Sequence, residues 1–109
     1  MTPEHNPLIA LRNQLREFAE ARNWEQFHNP KNLAMSVAIE AAEIMEYFQW
    51  LTLEQSRALA MEQRREVAHE LADVMLYLIR LADVLGIDLE DAAVRKIALN
   101  ALKYPANKG

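Results

Sequence analysis

The sequence predicts an all-α protein, a bundle of about four main helices with one short additional helix, and three observations predict it. Glycine occurs only at Gly86 and Gly109, although apolar residues make up 51% of the 109. Ala, Leu, Glu, Arg and Met, which favour helix, outnumber the β-branched residues. Apolar residues recur at three- and four-residue spacing through four long segments, separated by capping and breaking residues. A chain of 109 residues suffices for one domain with one core. The reading is a single domain over 1–109, with residues 1–6 and 106–109 as mobile ends.

Taken in order, Met1 to His5 read as a frayed end, and Asn6 followed by Pro7 makes a helix start, Asn as cap and Pro at the first helical position. The first helix runs to about Arg22, with Leu8, Leu11, Leu15, Phe18 and Ala19 on one side and Arg12, Arg16, Glu17 and Glu20 on the other. Pro30 disfavours helix at Asn29, so Asn23 to Lys31 is expected to be a loop. Asn32 then caps a second helix ending near Gln49 or Trp50. Thr52 caps a short helix over Leu53 to Leu59. A third long helix spans about Met61 to Leu85 and stops at Gly86. Asp88 caps the last, Leu89 to about Lys103, whose acidic start and basic end match the helix dipole. Pro105 ends it.

Several classes of function are excluded or disfavoured. The formal charge is -4, which offers no basic stripe for a polynucleotide. With no cysteine, disulfides, zinc ribbons and thiol catalysis are ruled out. No uninterrupted apolar run reaches the ~18 residues of a membrane span, and the first residues do not pair a basic region with a long apolar one. A soluble cytoplasmic protein is expected.

The second helix, NLAMSVAIEAAEIMEYFQWL, is apolar almost all the way round and is expected to be largely buried. Its charges are Glu40, Glu43 and Glu46, with no Lys or Arg to pair them. Glu40 lies between Leu33, Val37, Ile44 and Tyr47, inside the apolar face. The third helix carries Glu70 and Asp73 at the same three-residue spacing, with Tyr77 one turn on. Facing helices would gather four carboxylates with few cations nearby, an arrangement that calls for a bound ion. Oxygen-only ligands suit magnesium first and manganese second. A polar stripe on a solvated helix is the ordinary use of such spacing, and Glu46 and Glu66 read that way. His69 in HELAD lacks the second histidine of a zinc-protease helix, and it reads as a surface or packing residue.

These residues have company. The pairs Glu40-x-x-Glu43 and Glu70-x-x-Asp73, the segments WEQFHNPKNLAMSVAIEAAEIMEYFQW and HELADVMLYLIRLADVLGIDL, and the ending KIALNALKYP resemble the MazG-like, all-α nucleoside triphosphate pyrophosphohydrolases, in their small dCTP pyrophosphatase branch. The resemblance runs from about Leu8 to Pro105. It implies a dimer or a dimer-of-dimers tetramer with sites built partly across subunits. It also implies Mg²⁺-dependent hydrolysis of a nucleoside triphosphate to monophosphate and pyrophosphate, as nucleotide-pool house-cleaning, with dCTP first and dATP or a modified cytosine analogue next.

On the same resemblance Glu40, Glu43, Glu70 and Asp73 hold the metal, and Glu40 or Glu43 takes the proton of the attacking water. Trp24, Phe27, His28, Trp50 and Tyr77 match walls of the base and sugar pocket, where aromatic faces stack on a base. Lys31, Lys96, Asn100, Lys103 and Tyr104 match positions near phosphate or sugar. Leu15 and Arg16 stand where mammalian relatives can have a pocket histidine, and the long terminal extensions of those relatives have no counterpart. Two other readings stay open: another MazG-type activity, directed to dUTP or phosphoribosyl-ATP, and a non-catalytic helical oligomer with a structural cation site.

Overall fold

The structure, a computed structural model, describes residues 6–106; of the mobile ends expected at 1–6 and 106–109, residues 1–5 and 107–109 lie outside the described residues. It contains helices α1 (Pro7–Ala21), α2 (Pro30–Phe48), α3 (Leu53–Ser56), α4 (Met61–Val84) and α5 (Leu89–Lys103), and no strand among the described residues. The all-α architecture expected from composition and periodicity is the one observed.

Local chemistry accounts for most of the helix ends. Asn6 Oδ1 accepts from the amide of Leu8 at 2.9 Å and, more weakly, from that of Ile9, so it is part of the fold and not of a mobile end. Thr52 and Gln55 form a reciprocal capping box around α3, which is one turn long. Asp88 accepts from the Asp91 amide at the start of α5. Gly86, at φ +70, closes α4: its amide and that of Ile87 return to Asp83 and Ala82. Two boundaries differ from expectation. Helix α3 stops at Ser56 and not at Leu59. Helix α2 starts at Pro30, capped by Asn29, whose side chain accepts from the Asn32 amide at 2.9 Å. Proline at the first helical position lacks an N–H that would have had no helical partner anyway, so it begins the helix and does not break it.

Helices α1 and α2 both pack on α4, the α2–α4 contact being the larger. Both run antiparallel to it. His28, just ahead of α2, meets Arg80, whereas Glu40 and Glu43 meet Glu70. Along α1, Leu8 lies near Gly86 and Leu15 near Leu76. The core is small: Ala19, Leu33, Val67, Ile79 and Ala82, with Arg80 buried among them.

The expected burial of α2 is not met within one chain. Only Leu33 of α2 is buried, and Met35, Ile39 and Met45 are exposed. Helix α5 has no buried residue and leaves Val94, Ile97 and Leu102 in solvent. A single three-helix layer covers only one side of α2, so its remaining apolar faces stay open. Leu33 is the largest fully buried side chain, and Leu33→Ala is expected to cost about 2–5 kcal/mol of stability, measured by urea denaturation, through lost contacts and an unfilled cavity.

Candidate active site

The antiparallel α2–α4 contact brings one carboxylate oxygen each of Glu40, Glu43 and Glu70 within 4.8 Å of one another. All three residues are half-buried. With the group ionised, Glu40 Oε2 and Glu70 Oε2 are buried without any hydrogen-bond partner. Like charges at such range cannot all stay ionised unpaired. A proton shared with Glu43, then burial, then the charges of Glu43, Asp73 and Glu70 push Glu40 up to about 7. Glu70 is raised too, first by its hydrogen bond with Glu43. Tyr47, which flanks Glu43, Glu46 and Glu70, is raised by loss of solvent and by the surrounding carboxylates. A proton or a cation can relieve this cluster, and its all-oxygen donors suit a hard divalent ion.

Asp73 does not join the tight group. It is exposed and lies one turn along α4, on the wall of a second feature, a cavity of about 220 Å³ between α1, α4 and the α1–α2 connection. Trp24, His28, Tyr77, Phe18, Leu15 and Leu76 line it, with Ala19 and Arg80.

Trp24 reaches this wall through the end of α1. The amides of Asn23 and Trp24 return to the carbonyls of Glu20 and Ala19, and Asn23 takes the left-handed conformation at φ 56 that this reversal requires. Asparagine tolerates that region better than most non-glycine residues. Trp24 thereby folds back on Phe18, edge to face at 5.4 Å, while Arg22 stacks over Phe18 at 3.4 Å from the ring centroid. His28 follows at 5.9 Å from Trp24.

Behind the cavity runs a chain of charged contacts. Arg16 of α1 holds both oxygens of Asp83, with its Nε at 2.7 Å, and Arg80 reaches Asp83 at 3.4 Å. The Arg16 hydrogen bond keeps the Asp83 carboxyl below its ordinary range and raises Arg16 in return. Arg80 Nε donates to His28 Nδ1 at 3.0 Å. Arg80 and Asp83 are, in the sequence, only charges on a helix, and the contacts that join them to each other, to Arg16 and to His28 follow from helix packing.

The other expected site residues are dispersed. Phe27 and Lys31 are exposed, and Trp50, just beyond α2, is 86% exposed. Lys96, Asn100, Lys103 and Tyr104 sit on or beside α5, exposed, and none of them lines the cavity or the carboxylate cluster of its own chain. Glu46, Glu66 and His69 are exposed, as expected for solvated helix faces.

The sequence pattern of the MazG-like family matches residues 35–109. The chain belongs to that family. Similar proteins include dCTP pyrophosphatase 1 of Homo sapiens and that of Mus musculus, each 39% identical over 93 residues. The aligned part is 84% of this chain but 55% of the relative, so the chain spans about half the length of these proteins. The crystal structure of a pyrophosphatase from Archaeoglobus fulgidus DSM 4304 superposes with a TM-score of 0.87 at 41% identity, covering 94% of this chain and 95% of that one. The MazG-like match includes all of Glu40, Glu43, Glu70, Asp73 and Tyr77, whereas Trp24 and His28 precede it.

The raised carboxyl groups make the stability of this MazG-like chain depend on pH. Because Glu40 binds its proton more tightly when folded, its stabilising contribution is full below about 4.5 and is lost as pH rises through about 7. In chelator, thermal melts are expected to show a midpoint falling across that window. Glu40→Gln should flatten the fall, and a divalent ion should offset it at the upper end.

Proposed function

We propose that the protein hydrolyses nucleoside triphosphates, dCTP foremost, to the monophosphate and pyrophosphate. The observation that carries this is the cluster of Glu40, Glu43 and Glu70, with two orphaned buried oxygens, one helical turn from an aromatic cavity and joined to it by Asp73. The family, the names of the similar human and mouse proteins and the pyrophosphatase fold of the archaeal structure support the same reading.

The residues suit the reaction. A cavity of about 220 Å³ is smaller than the ~300 Å³ or more of pockets that engulf a drug-sized ligand, so it takes a base and leaves the phosphates outside. Trp24 and Tyr77 supply aromatic faces for the base. The phosphates then pass Asp73 toward the glutamates. The orphaned oxygens of Glu40 and Glu70 and the all-carboxylate donor set fit Mg²⁺, with Glu43 and, on the cavity side, Asp73 completing the acidic set. When bound, Mg²⁺ neutralises the triphosphate and lets an acidic site accept an anionic substrate. An ionised Glu40 or Glu43 accepts the proton of a water whose oxygen bonds to the α-phosphorus as the bond to the departing pyrophosphate breaks.

The functional unit in this reading is a homo-oligomer, a dimer or a dimer-of-dimers tetramer. The chain exposes 8790 Å², against roughly 6,200 Å² for a compact monomer of its mass, and its radius of gyration is 17.1 Å, against about 13 Å. Another copy on the open faces of α2 and α5 would remove that excess. It would also place Lys96, Asn100, Lys103, Tyr104 and Trp50 beside a neighbouring site, where lysines can meet phosphate. Sedimentation analysis is expected to find a dimer or tetramer, and a monodisperse monomer with full activity would remove this part of the proposal.

The activity is tested with a panel of ribo- and deoxynucleoside triphosphates, resolving pyrophosphate from orthophosphate with Mg²⁺, with Mn²⁺ and with EDTA. Pyrophosphate is expected only with metal and fastest from dCTP. Glu43→Gln is expected to lower turnover by at least about a hundredfold while the helical signal persists. Folded oligomer that releases no pyrophosphate from any nucleotide would point to a structural cation site instead.

A further inference from the structure

Arg80 is the one buried charged residue among those described, and its place in the aromatic wall calls for an explanation. A guanidinium only donates hydrogen bonds. Its Nε–H points to His28 Nδ1 at 3.0 Å, so Nδ1 must accept and cannot carry a proton while the contact lasts. In a neutral imidazole the proton then sits on Nε2. Protonating Nδ1 as well would set N–H against N–H and charge against charge. Burial, and after it the Arg80 charge, accordingly hold His28 below its ordinary value. Asp83, itself gripped by Arg16, anchors the far side of Arg80, which ties the imidazole to α1 and α4 together.

We propose that Arg80 is a positioning residue that fixes His28 as its neutral Nε2–H tautomer, so that the cavity wall offers its occupant a hydrogen-bond donor. The group recognised there is an uncharged acceptor, the carbonyl oxygen or unprotonated ring nitrogen of a nucleobase. The second statement rests on the reading of the cavity as a base pocket, whereas the first rests on the Arg80–His28 contact alone. His28 thus adds directional recognition to a pocket whose aromatic faces stack with little regard to base identity.

Nitrogen-15 histidine spectra of the unaltered protein at neutral pH are expected to show His28 with an unprotonated Nδ1 and a protonated Nε2. The opposite tautomer, or an imidazolium, overturns the proposal. In Arg80→Leu, which leaves Asp83 paired with Arg16, His28 is expected to become a mixture of tautomers. The KM for dCTP should rise about three- to tenfold, the effect of one misdirected hydrogen bond, with kcat changed by less than about twofold. Arg80→Lys restores a donor and should recover the tautomer and part of the KM. If both the spectrum and the KM of Arg80→Leu match the unaltered protein, Arg80 is a packing residue and the proposal fails. If Arg80→Leu does not fold, the spectra of the unaltered protein and of Arg80→Lys decide the tautomer. If no nucleotide is hydrolysed yet the tautomer responds to Arg80 as expected, the proposed reaction falls and the positioning of His28 stands.

Discussion

The antiparallel contact of α2 with α4 is the constraint on which the rest of the structure depends, because one interface both contributes to the small core and gathers like charges. Leu33 of α2 and Val67 and Ile79 of α4 are buried, and such burial is the stabilising side of folding. The same packing draws Glu40, Glu43 and Glu70 together, with no lysine or arginine in α2 beyond Lys31 in its first turn. Packing cannot relieve the repulsion that results. It holds the oxygens in place, and a proton or a cation must supply the missing positive charge. A strained carboxylate cluster is therefore a direct consequence of how the core is built.

The α1–α2 connection has a comparable double use. It must turn the chain from one helix flanking α4 to the other. Asn23 does so in the left-handed conformation, and the reversal folds Trp24 onto Phe18. Asn29 and Pro30 then start α2 at once, leaving only a short bridge in which His28 meets Arg80. The backbone chemistry that ends one helix and starts the next thus also sets the wall of the cavity.

The described helices do not cover all the apolar surface that they present. One layer of α1 and α2 on α4 leaves Met35, Ile39 and Met45 of α2 exposed, and α5 contributes Val94, Ile97 and Leu102 to the solvent-facing side. A helix apolar on every side has to meet neighbours on every side, and here a single chain supplies neighbours on one.

What the sequence by itself determined is whatever depends on neighbours within a few residues. Asn6, Thr52, Asp88 and Gly86 mark helix ends because caps act over three or four positions, and Glu40-x-x-Glu43 is legible because helical spacing puts both acids on one side. Pro30 misled for a related reason: its effect on the preceding residue and its fitness for a first helical position look alike until the cap at Asn29 is seen. Tertiary structure alone decided which acids converge. Glu70 and Asp73 share a helix face, yet the register of α4 against α2 sends Glu70 to the glutamates and Asp73 to the cavity wall. It also decided that Arg80 meets His28 and that Arg16 meets Asp83. Those contacts join residues far apart in the chain, and the register and crossing of whole helices, set by how their side chains interlock, bring them together where no local spacing could.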